Sequence, residues 1–157
     1  MLMTLAEIVS WEVTANVLPV LDPAEVPLLP DIVRSQNTKP PAIGNQPGAF
    51  DAGSVVATAE TVFLVILPVL RATLPKIFDA TVDVGKDMLK KILERKFDGK
   101  AALSKMPVEI PTDAATIYKL ILQAAVEKRL STARAEAVAN AVVARLAMGL
   151  NDIEPRA

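Results

Sequence analysis

The chain has 157 residues, of which 52% are apolar and 22% charged; that excludes a wholly disordered polymer and supplies enough material for one hydrophobic core. Seventeen Lys and Arg stand against eighteen Asp and Glu, so the chain as a whole is not a polybasic nucleic-acid binder. Cysteine and histidine are both absent, which removes disulfides, thiolate and imidazole metal ligands, thiol nucleophiles and every triad with an imidazole base.

Residues 1–21 are apolar and acidic. Glu7 and Glu12 occupy a stretch with no basic start and no small-residue cleavage site, so cytoplasmic synthesis without secretion is the expectation. Thr4-Leu5-Ala6-Glu7 has the form of a capping box, and Leu5, Ile8 and Val9 follow at helical spacing, with Pro19 as a stop. Val9, Trp11, Val13, Ala15 and Val17 nevertheless alternate with polar residues, the pattern of a half-buried strand. The cap favours a helix, with a short strand at 9–17 as the alternative.

Residues 22–54 hold six of the twelve prolines and three of the six glycines. Proline removes backbone donors and drives the preceding residue out of the helical region. An extended arm without regular helix is therefore predicted, with Pro40 and Pro41 near its centre.

Residues 55–149 read as a helical domain, followed by a tail at 150–157. Ser54 can cap a helix from Val55 to Leu67, which Pro68 should kink or break. The run Val62 to Leu67 also fits a buried strand, because periodicity does not decide so short a stretch. The charge-free run from Thr61 to Leu70 is half the roughly 20 residues a bilayer-spanning helix needs, so a buried segment is the better reading. Pro75 suits the first position of a next helix, in which Ile77, Phe78, Val82, Met88, Leu89, Ile92 and Leu93 face the core and Gly99 is the stop. Pro107 and Pro111 punctuate a connection. Thr112 or Asp113 then caps a helix to about Leu130 with Ala114, Ile117, Tyr118, Ile121, Ala124 and Ala125 inward, and Ser131 or Thr132 caps a last one from Ala133 to Met148. These two meet as a tight hairpin or as one bent rod. The predicted fold is mainly α, with four to five helices and a proline-rich arm.

The chemistry-bearing patterns are weak. Asp79, Asp83 and Asp87 would share one side of a helix, yet Lys86, Lys90 and Lys91 would neutralise them as ordinary helix pairs, so no metal site is expected. Lys86 to Lys100 is the one basic concentration, with six cations and three anions, and only the single Phe97 and no glycine-rich element accompanies it; nucleic acid is not an expected partner. A helix-turn-helix reading of the last two helices fails because the final helix offers mostly Ala and Val where base edges demand Arg, Asn or Gln. Gly48 to Ser54 imitates a phosphate loop without its lysine, and no serine has a Lys three residues on. No cofactor and no enzymatic activity are expected.

What remains is architecture. The expected role is a non-enzymatic structural or assembly subunit that packs against other protein chains, most simply copies of itself, with a virion or similar particle as its most specific form. Residues 22–54 would be the arm; Val62, Phe63, Leu64, Ile66, Leu67 and Leu70 the apolar anchor; and Ala133, Ala137, Ala141 and Ala144 a smooth side for close helix contact. Two other classes compete. A membrane-peripheral protein would use 55–74 as its apolar dip and 86–100 for headgroups. A regulatory adaptor would take one partner helix in a groove.

Overall fold

The structure, a computed structural model, describes residues 1–38, 57–95, 110 and 112–148. It is mainly α, as predicted, with six α-helices and one two-stranded sheet among the described residues.

Helix α1 (Leu5–Leu21) is the centre of the molecule, packed by α3 (Thr58–Thr73), α4 (Lys86–Glu94) and α6 (Thr132–Ala147). It starts on the predicted capping box: the Thr4 hydroxyl accepts the Glu7 N–H at 3.1 Å, and Glu7 Oε1 accepts the Thr4 N–H at 3.0 Å. The alternation at 9–17 is not a strand. Both sets of residues are buried up to Thr14, because a helix wrapped on all sides has no solvent face to mark. Ser10 and Thr14 return their hydroxyls to the carbonyls of Ala6 and Ser10, at 2.8 and 2.7 Å, so their burial leaves no donor unmet. Trp11 stacks on Phe63 of α3 with ring centroids 4.1 Å apart. Pro19 does not stop the helix. Its ring is exposed, and the chain continues to Leu21 before the Asp22 N–H closes on the Leu18 carbonyl at 2.8 Å.

The extended arm expected at 22–54 is folded where it is described. Pro23–Leu28 forms 3-10 turns and Leu29–Thr38 forms helix α2, which buries Leu29 and Val33. Pro30 sits in the first turn, where its missing N–H would have had no helical acceptor. Pro40, Pro41 and Ser54 lie outside the described residues, as do Gly99, Pro107, Pro111, the tail at 150–157 and the side chain of Ile77.

Helix α3 begins at Thr58 after Ala57, which has no side chain able to cap. The cap comes instead from Glu25, whose two carboxylate oxygens accept the Thr58 and Ala59 N–H groups at 2.8 and 3.0 Å. Pro68 neither breaks nor ends α3; its ring is exposed, while Val62, Phe63, Val65, Ile66, Val69 and Leu70 stay buried on both sides of it.

The largest difference from expectation is at 75–94. One helix was predicted, but the chain makes a 3-10 turn at Lys76–Asp79, strand β2 (Thr81–Asp83) and then α4. Strand β2 pairs antiparallel with β1 (Leu2–Thr4), Met3 opposite Val82, and the Val84 N–H reaches the Met1 carbonyl at 2.7 Å. Thr81, Val82, Asp83 and Val84 alternate exposed and buried, a period of two that suits β-branched residues. The inward residues were identified correctly nonetheless: Phe78, Val82, Leu89 and Ile92 are buried. Asp79, Asp83 and Asp87 therefore lie on three different elements and share no helix side.

Helices α5 (Ala114–Glu127) and α6 start on the predicted caps, Asp113 accepting the Thr116 N–H at 2.7 Å and Ser131 accepting that of Arg134 at 3.3 Å. That bond holds the Asp113 carboxyl below its ordinary pKa. The two helices form a hairpin, not a rod. Arg129 takes a left-handed φ of 63°, while its N–H meets the Val126 carbonyl at 2.9 Å and that of Leu130 meets Ala125 at 3.0 Å. This is the Schellman closure, with arginine where glycine is usual.

Candidate functional site

Two features stand out once the core is assigned. The first is ionic and internal. Glu12 of α1 and Arg145 of α6 are 2% and 0% exposed, each the one buried charge of its helix and flanked by buried apolar residues, Trp11 and Val13 in α1 and Ala144 and Leu146 in α6. Arg145 donates from Nε and a terminal nitrogen to Glu12 Oε1 at 3.3 and 3.2 Å. Arg95, at the end of α4, approaches Glu12 Oε2 at 3.5 Å, and its carbonyl accepts from Asn16 at 3.1 Å. Burial pushes the Glu12 carboxyl above its ordinary pKa, outweighing the opposing pull of the two guanidinium groups. Burial likewise lowers Arg145, against the pull of Glu12. Each partner loses more hydration than the other returns, so the pair fixes the α1–α6–α4 arrangement more than it adds stability. No sequence spacing announces this pairing across 133 positions; the one signal is a lone charge inside each apolar run.

The second feature is at the surface. Where α1 passes into the 3-10 turns, Val20, Leu28 and Val26 are 79%, 53% and 39% exposed, and Pro19, Pro23 and Pro27 are exposed beside them. Next to this corner a cleft of about 520 Å³ opens between α1, α2 and α4. Ala15, Val26, Leu29, Leu89 and Leu93 give it apolar walls, while Arg34 and Lys86 also line a smaller hollow of about 250 Å³ beside it.

The residues expected to make contacts fall differently. Val62, Phe63, Ile66, Leu67 and Leu70 are buried in the chain's own core and Leu64 packs partly against it. On α6, Ala144 is buried, Ala137 and Ala141 are half-buried against the same core, and Ala133 is exposed. The Lys86–Lys91 part of the basic stretch projects Lys86, Lys90 and Lys91 outward. No helix among the described residues is long and apolar enough to cross a membrane, and no group of acidic side chains among them is placed to hold a metal ion.

Comparison with protein-family models, curated proteins and solved structures finds no match to this chain.

Proposed function

We propose that the protein is a non-enzymatic assembly subunit that associates with further copies of itself, in a particle of the virion type as the most specific form. The observation that carries this reading is the apolar corner at 19–28, where Val20, Val26 and Leu28 stand in solvent within nine residues of one another, whereas the other strongly exposed aliphatic side chains among the described residues, Leu2 and Val126, are far from it and from each other in sequence. Concentrated exposed apolar surface marks interaction sites in folded proteins. The side chains of Val20 and Leu28 leave the fold without internal work to do, so their replacement separates association from folding.

Light scattering on the purified full chain tests this. The expected outcome is a mass above that of the monomer, reduced to the monomer by Val20→Lys with Leu28→Lys at an unchanged urea midpoint. A wild-type chain that stays monomeric at millimolar concentration overturns the reading.

A further inference from the structure

We propose that the cleft between α1, α2 and α4 is a binding site for a soluble single-chain anionic amphiphile, a medium-chain carboxylate in its simplest form. The inference is independent of self-association. A volume of about 520 Å³ lies within the range of small-ligand sites, and the walls contributed by Ala15, Val26, Leu29 and Leu93 suit a hydrocarbon chain. Charge selects the head. Lys86 forms no ion pair among the described residues, and Arg34 has one, to Asp31 at 3.3 Å, exposed on both sides and therefore weak. The third cation of the lining, Lys90, is offset by Asp87 and Glu94, three and four residues away on its own helix. Arg34 and Lys86 line both the main cleft and the smaller hollow, so an anionic head at their junction meets two cations from two elements while its tail runs along the main cleft.

Calorimetric titration of the full chain with octanoate and decanoate, each below its micelle concentration, provides the test. Expected are one-site saturation and affinity rising about fourfold per added methylene, as burial of each CH2 requires. Decanol should bind about tenfold more weakly or worse, as should decanoate to the double variant Arg34→Glu, Lys86→Glu, since a charge-assisted contact is lost in both. Both substituted positions are exposed, and an unchanged circular dichroism spectrum and urea midpoint verify folding. Val26→Glu, at the apolar wall, should weaken decanoate without touching the cations. The proposal is overturned by absence of saturation, by decanol binding as tightly as decanoate, or by unaltered affinity in the charge-reversed variant. It is also overturned if the chain floats with phosphatidylglycerol vesicles while leaving monomeric decanoate unbound, because the source is then a lipid surface.

Discussion

Helices α1 and α4 both set glutamate among leucine and isoleucine and use it in opposite ways. In α4, Asp87, Lys90, Lys91 and Glu94 all face water and Leu89 and Ile92 face the core, so charge and burial separate by side. In α1 there is no such separation: Glu12 is as buried as Trp11 beside it and is held by Arg145. A charge in α4 is interchangeable, whereas a charge in α1 is an obligation on a residue at the far end of the chain. Position in the packing decides the worth of a carboxylate, not its identity.

That contrast breaks most sharply at Glu12. Glu12→Leu should destabilise by about 3–5 kcal/mol in urea unfolding, because Arg145 is left buried with its carboxylate gone. Adding Arg145→Met should restore most of the loss, since an apolar pair of similar volume has no hydration to forfeit. A double variant no more stable than Glu12→Leu alone would show that Arg145 is not what Glu12 answers to.

The pH dependence sharpens the same point. Burial raises the Glu12 pKa above 4.5, so the native state holds this proton more tightly than the unfolded chain does. The associated stability is fully present below about 4.5 and is lost as pH rises through the native value. Glu12→Gln keeps an acceptor for Arg145 and does not titrate. The urea midpoint of the parent should therefore fall relative to that of Glu12→Gln as pH climbs through this window.

Smaller effects are expected away from the centre. Glu25→Ala removes the acceptors of the Thr58 and Ala59 N–H groups and should cost about 1–2 kcal/mol, the usual worth of a helix cap. Lys90→Asp, on the wet side of α4, should change the unfolding free energy by less than about 0.5 kcal/mol. Loss of folding in that last variant would contradict the orientation of α4.

Local signals were readable from the sequence and distant ones were not. The capping box at Thr4–Glu7 and the caps at Asp113 and Ser131 each rest on a few adjacent residues, and each stands at a position the pattern offers; the pattern leaves α5 and α6 as a hairpin or a rod, and the left-handed Arg129 decides for the hairpin. Strand β2 escaped because its partner is Leu2–Thr4, nearly eighty positions earlier, and without a partner Thr81–Asp83 merges into the helical stripe that follows. The start of α3 escaped for the same reason, as its cap is Glu25. Pro19 and Pro68 look like breaks in the sequence and lie inside helices in the fold: an exposed ring costs a helix one bond when the buried stripe continues past it. For the candidate surface, composition singles out the apolar run at 62–70, most of which lies in the core, whereas the exposure of Val20, Val26 and Leu28 depends on which neighbours the fold brings to them and is not written in their own stretch.

The stacked pair at the middle of the molecule has a practical consequence. Trp11 is the sole indole of the chain and lies against Phe63, 1% exposed. Its emission should be blue-shifted and beyond the reach of aqueous quenchers until the whole assembly of helices comes apart, which makes it a built-in fluorophore for global melting and a silent witness to anything that happens on the outside.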